Sequence, residues 1–366
     1  MRIALSLLAL RPGQVGGAET YVRRMVEYLP QVAPGDELVL VVDRDVDGEV
    51  EAPGWRKEVV PLSARQVVAQ RVLEAYTPWR AAALEARFAD LGADVFLFPQ
   101  QSIFPARVTT PAVLTVVDVQ HVFHPENLGP FDRTFRSRVY TRSLRAAAHV
   151  LAISEFTRRT LIRACAVAPE KVTAVPLGFT PSDIGGVEPY PIAAPYLYYP
   201  AATFPHKGHE QLMRTLSALH ARGEFRHRLV LSGARTRHWR RVQRLVRSLG
   251  LEEIVEHVGF VSPEKVDALY AGAETVVFPS RYEGFGLPIV EAAHFGKRIV
   301  TSRLPVFEEI GVPARLQVDF GNPEEVLAAL RDPGPWSLLR RPNTWRETAA
   351  RSLDVLRSVA RSSTPA

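Results

Sequence analysis

The sequence contains little that could brace it covalently and nothing that could anchor it through a bilayer. One cysteine, Cys165, in 366 residues excludes an internal disulfide and a cysteine-rich metal site. No stretch approaches the roughly 20 apolar residues that a membrane span needs. The opening Met1-Arg2-Ile3-Ala4-Leu5-Ser6-Leu7-Leu8-Ala9-Leu10 has a short apolar run, but Arg11-Pro12-Gly13 follows it where a signal peptide would place small residues, so it reads as a core strand. Internal repeats, low-complexity tracts, nucleic-acid-binding motifs and the GxGxxG spacing of dinucleotide binders are also missing. A reducing, cytoplasmic setting without nucleic-acid partners is expected.

What is present is the composition of a soluble globular protein, 46% hydrophobic and 23% charged, long enough for two domains. Apolar strand-like runs alternate with helix-like segments throughout, the α/β pattern of parallel βαβ units. Strands are expected at 2–8, 37–42, 95–98, 112–117, 149–153 and 171–175, with helices at 18–29, within 63–91, at 134–148 and at 155–164. Proline, glycine and polar residues from Thr180 to Pro191 interrupt the pattern and suggest a linker over 183–195 between domains at 1–182 and 196–342. A second series places strands at 196–199, 228–232, 255–258, 275–278 and 298–302, and helices at 208–222, 238–249, 263–271 and 288–295. Residues 345–359 repeat apolar positions at helical spacing.

The densest signal is Pro279-Ser280-Arg281-Tyr282-Glu283-Gly284-Phe285-Gly286-Leu287-Pro288-Ile289-Val290-Glu291. Glu274-Thr275-Val276-Val277-Phe278 before it reads as a buried strand, and Pro288 suits the first position of a helix. Glu283 then lies in the strand-to-helix loop and Glu291 about one turn into the helix, facing one cleft. Helix N-termini attract anions such as a pyrophosphate, although acidic residues near a helix start are also favourable for stability alone.

Glu283-x7-Glu291 in this setting resembles the signature of retaining glycosyltransferases of family 4, group 1. These are GT-B enzymes, with two Rossmann-like domains whose parallel sheets face a central cleft. The resemblance implies that Glu283 contacts the donor sugar, that Glu291 holds the ribose hydroxyls, that Arg281, Gly284, Phe285, Gly286 and Leu287 complete the donor loop, and that residues 343–366 form a terminal helix crossing back to the first domain. It also implies a nucleotide-diphosphate sugar as substrate and no cofactor or metal.

Other segments fall in the order this family has. Gly16-Gly17-Ala18-Glu19 opens a helix after the first strand, where small residues let a backbone approach phosphate. Tyr199-Pro200-Ala201-Ala202-Thr203-Phe204-Pro205-His206-Lys207-Gly208 resembles the Lys-Gly donor loop, in which Lys207 would stabilise the leaving diphosphate. Many members carry an arginine where this chain has Ala202, leaving His206 or Arg281 to compensate. Ser232, Gly233 and Phe260 end strands on the same edge, with the nucleobase expected near Phe260. On the acceptor side, Val117-Asp118 replaces the usual His-Asp, so His121, with Asp118, is the substitute candidate for orienting the acceptor or sugar. Ser154 suits a helix N-cap. Asp43, Asp45 and Asp47 have D-x-D spacings but read as a solvated loop rather than a metal site.

Net charge is +6. Arg133, Arg136, Arg138, Arg142 and Arg145 alternate with Phe131, Phe135, Val139, Tyr140 and Leu144, a stripe compatible with peripheral contact at an anionic inner membrane face or with an ordinary solvated helix. The expected activity is retaining transfer of a hexose from a nucleotide-diphosphate sugar to a glycan, lipid-linked or small-molecule hydroxyl, after hinge closure excludes water. His-Lys-Gly and Asp-x-Gln-His stretches like those of mannosyl-type members make GDP-mannose the first candidate donor. A GT-B epimerase, or a non-catalytic nucleotide-sugar or glycan-binding module, is the alternative.

Overall fold

The computed structural model describes residues 1–11, 17–77, 82–182, 184–192, 195–334 and 336–362. The chain forms two compact units, Met1–Gly178 together with Asn343–Ala366, and Phe179–Pro342.

The first unit is built on seven parallel strands: β1 (Arg2–Ser6), β2 (Glu37–Asp43), β3 (Arg56–Val60), β4 (Val95–Phe98), β5 (Ala112–Val116), β6 (His149–Ala152) and β7 (Val172–Ala174), in spatial order β3-β2-β1-β4-β5-β6-β7. Helices on both faces bury the inner strands, so β1, β2, β4 and β5 read as nearly continuous apolar runs. β3 was not apparent from sequence because Arg56, Lys57 and Glu58 occupy it; as an edge strand it tolerates exposed charge. Strand order reverses between β1 and β4, and such sheets bind ligands beyond the carboxyl ends of strands at that switch point.

Residues of the terminal helix, Trp345–Ser362, complete this unit. Trp345, Ala349, Leu353 and Leu356 are buried, and the helix packs along Gly17–Val32. Arg357 pairs with Asp36 at 2.8 Å, and Thr348 Oγ1 donates to the Pro176 carbonyl at 2.8 Å. A Cβ at Gly178 would fall onto the Trp345 backbone, so only glycine allows this closure.

The second unit repeats the scheme with β8 (Tyr196–Pro200), β9 (Arg228–Ser232), β10 (Val255–His257), β11 (Thr275–Phe278), β12 (Arg298–Ser302) and β13 (Gln317–Val318), ordered β10-β9-β8-β11-β12-β13. Its switch point lies between β8 and β11. β13 and the helix Pro323–Leu330 were not foreseen: two strand residues carry no periodicity, and closely spaced prolines obscure the helix. Of the segment read as a linker, 184–192 is described and belongs to this unit; Tyr190 N–H donates to Ala268 O at 2.9 Å. Asp183, at its start, lies outside the described residues.

Some local expectations shift. Helix Pro130–Ala146 begins four residues before position 134, at the Gly129-Pro130 break, and its arginines are partly engaged: Arg142 donates to the Glu74 carbonyl at 2.7 Å, and Arg138 lies over the Tyr76 ring at 4.6 Å. Ser154 caps Glu155–Cys165 by accepting from Thr157 N–H at 2.9 Å. The aspartate triplet is not a solvated loop: Asp43 is fully buried, caps the turn Arg44–Asp47 and meets Arg11 at 3.1 Å, while Asp45 accepts from Ala64 N–H and Asp47 pairs with Lys57. No described helix is long and apolar enough to cross a membrane.

Candidate functional site

The site is assembled at the switch point of the second sheet, from the loops that leave β8 and β11. Lys207 ends the first loop and Glu283 lies in the second. The Lys207 ammonium donates to both carboxylate oxygens of Glu283, at 2.7 and 2.8 Å, with both side chains largely shielded from water. Ser280 Oγ, fully buried, donates to Glu283 Oε1 at 2.7 Å. Tyr199, at the end of β8, donates its hydroxyl to the Lys207 carbonyl at 2.8 Å and lies 3.1 Å from Ser280 Oγ. Burial, reinforced by the Glu283 charge, holds the Tyr199 phenol well above its ordinary pKa, so it stays a donor. Tyr199 and Ser280 thus fix the backbone and the carboxylate of the pair, and sequence reasoning passed over both; their signal was position, at a strand end and inside the densest motif.

The two loops touch through their backbones. Gly208, φ +72°, sits so close to the second loop that a Cβ would fall onto the Pro279 carbonyl oxygen. Arg281 N–H donates to His206 O at 2.7 Å, while the Arg281 side chain is exposed; the buried His206 ring stacks on Phe204. Gly286, φ +112°, precedes helix Leu287–His294, so Leu287 takes the first helical position and Pro288 the second, one later than expected. Gly284 is half-buried and Phe285 packs inward.

Glu291 has its own partners. Tyr270 OH donates to its Oε2 at 2.8 Å, and burial pushes the carboxyl above the usual carboxylate range. Ser232 is turned into the core, its Oγ 2.7 Å from Tyr198 OH. Gly233, φ +112°, donates to Gly259 O at 2.8 Å, and a Cβ there would meet the Ala201–Ala202 backbone at 2.9 Å, so the loops after β8, β9 and β10 lie against one another. Phe260 is 79% exposed beside them, an open aromatic face suited to stacking. The structure therefore gathers His206, Lys207, Arg281 and Glu283 in one place, with Gly233 and Phe260 on adjoining loops.

In the first unit, Asp118 Oδ1 accepts from Gln120 N–H at 3.2 Å. His121, in the short turn Gln120–Phe123, lies edge-on to Tyr140 at 4.9 Å between ring centroids. Burial first, and the Arg136 charge second, push the imidazole down to about 4, so it is neutral at pH 7. Gly17 begins helix Gly17–Val32, and Gly16 lies outside the described residues. Among the described residues no group of His, Cys, Asp and Glu is placed to hold a metal ion.

Comparison with known proteins bears on both units. The profile described as Glycosyltransferase Family 4 matches residues 15–183, and that described as Glycosyl transferases group 1 matches 191–332. The O-antigen chain mannosyltransferase B of Escherichia coli is 30% identical over 256 residues, 65% of this chain and 63% of that protein. An MMP alpha-(1->4)-mannosyltransferase of Mycolicibacterium hassiacum is 32% identical over 177 residues, 47% of this chain and 41% of that one. The chain thus spans less than two thirds of these relatives. Among solved structures, sucrose-phosphate synthase of Thermosynechococcus elongatus aligns with a TM-score of 0.69 at 18% identity, covering 99% of this chain and 97% of that one. Alr3699/HepE of Anabaena, in complex with UDP and glucose, aligns at 0.62 and 18%, covering 99% and 98%. These likenesses show the fold alone, two Rossmann-like domains of the GT-B type.

Proposed function

Since this chain belongs to the group 1, family 4 glycosyltransferases, we propose that it moves a hexose, mannose first among candidates, from a nucleotide-diphosphate sugar to a hydroxyl of a saccharide acceptor. The observation that carries the reading is the Lys207–Glu283 pair bridging the switch point of the second sheet. Lys207 supplies positive charge for a departing diphosphate, and Glu283, held by Ser280, meets the donor sugar. Arriving phosphate competes with Glu283 for the Lys207 protons, so donor binding frees the carboxylate to meet sugar hydroxyls. Phe260 offers its face to the base, Glu291 lies one turn into the adjoining helix for the ribose, and Gly233 lets the backbone approach. Relatives named as mannosyltransferases of O-antigen chains support mannose and a growing polysaccharide.

Retention is proposed through front-face attack, with the leaving phosphate taking the acceptor proton, because Glu283, held by Ser280 and freed from Lys207 by the donor, is occupied with the sugar hydroxyls rather than the acceptor. No metal is assigned a role. Product formed from GDP-mannose should keep the donor's anomeric configuration in the NMR spectrum, and the rate should persist in EDTA; an inverted anomer overturns the mechanism. Thermal melts with GDP, UDP, dTDP and ADP test the donor directly. The matching nucleotide at 100 times its dissociation constant should add about 2.7 kcal/mol of stability, and a flat response to all four would sink the donor site.

A further inference from the structure

Near the switch point of the first sheet lies a guanidinium that forms no ion pair among the described residues. Arg71, on helix Ala64–Tyr76, donates through Nη2 to Ser102 Oγ at 2.8 Å, on the connection between β4 and β5. Its Nε is buried without a hydrogen-bond partner, and among the described residues it forms no ion pair, feeling the Glu74 charge only at longer range. Arg11 shows the contrast, since Asp43 receives it at 3.1 Å. Glu74, three residues along the same helix, spends its oxygens on Ala106 N–H at 2.7 Å and Gln70 Nε2 at 3.2 Å. Arg142 adds another guanidinium, held by the Glu74 carbonyl.

His121 belongs to the same cluster through Tyr140, whose ring it meets at 4.9 Å. The Tyr140 phenol is raised chiefly by burial, and it also feels the charges of Arg136, Asp118 and Arg71. His121 Nδ1 is buried without a hydrogen-bond partner. Two buried nitrogens, one cationic and one neutral, therefore lack partners at the edge where such sheets take ligands. A half-buried guanidinium without a direct counter-ion is unfavourable, and its planar fork matches a phosphate in geometry and charge.

Resting on the transferase reading, we propose that the acceptor carries a phosphate group, received in the first unit by Arg71 and neighboured by His121 and Tyr140. The phosphate belongs either to a soluble sugar phosphate or to a lipid-linked sugar pyrophosphate. Arg71 binds it directly; His121 lends a neutral imidazole that does not compete for the anion.

His121 itself provides the readout. Its titration is followed by NMR in the intact protein, with its signal assigned from a His121→Asn spectrum and inorganic phosphate as probe. Saturating phosphate should raise the His121 pKa by at least one unit, because a nearby anion favours the imidazolium. The response should vanish in Arg71→Met, and Arg71→Lys should raise the acceptor KM at least tenfold with kcat within threefold. A sugar 1-phosphate and a micellar polyprenyl pyrophosphate sugar are then compared, the one acting at lower concentration identifying the source. A silent His121 in the wild-type protein, an equal response to an uncharged sugar, or an undiminished response in Arg71→Met overturns the proposal. The wild-type titration stands even if Arg71→Met fails to fold. Failure of the donor reading would show separately, as absence of any nucleotide-dependent rise in melting temperature.

Discussion

Replacing Lys207 by methionine is expected to lower kcat/KM for sugar transfer about 10³-fold, which is about 4 kcal/mol of transition-state stabilisation. The variant loses one preorganised donor to developing negative charge, a loss that typically costs about 10² to 10³, and the full positive charge of the ammonium places it at the upper end. Methionine keeps the length of the side chain and lets Tyr199 continue to hold the backbone carbonyl at position 207. Glu283→Gln should also be severe, since it removes the charge held by Lys207 and Ser280. The double variant should be scarcely worse than the more damaged single one, because residues acting as a unit are not additive. A Lys207→Met rate within tenfold of wild type would mean that the ammonium serves the loop and not the reaction.

Gly208→Ala should damage stability and activity together. The left-handed backbone at φ +72° costs a non-glycine residue about 1–3 kcal/mol, before any steric term. The added methyl would then fall onto the Pro279 carbonyl oxygen, forcing the loop that carries Lys207 away from the loop that carries Glu283. Chemical denaturation should show an unfolding free energy lower by at least about 2 kcal/mol, and activity should fall with it. A wild-type denaturation midpoint would contradict the close loop approach. Gly259, also at positive φ but with open space around its missing Cβ, is the fitting control: alanine there carries the backbone cost without the collision.

The parallel sheets were legible because buried strands flanked by helices on both faces leave long β-branched and apolar runs, as in β2 and β11. β3 and β13 escaped because an edge strand need not be apolar, nor a two-residue strand periodic. Glu283 and Lys207 could be proposed from their motifs, but their direct pairing could not, since 76 residues separate them in sequence. Tyr199 looked like core and is core, yet its hydroxyl reaches the site; a single hydrogen bond at a strand end leaves no trace in a pattern. Ser232 shows the reverse, a residue in the right loop whose side chain the core consumes. Arg71 was hidden for a further reason: a basic residue on a helix ordinarily lies in solvent, and only packing shows that this one is half-buried, with its Nε covered.

Because the helix Trp345–Ser362 belongs to the unit that starts at Met1, the order of synthesis and the order of assembly differ. Residues 179–342 leave the ribosome as an uninterrupted set and can close their core while translation continues. The earlier-made sheet must wait for Trp345–Ser362 to cover Tyr21, Met25 and their neighbours on Gly17–Val32, exposed in the meantime to chaperones and proteases. A nonsense mutation just short of Trp345 would thus harm the portion made first.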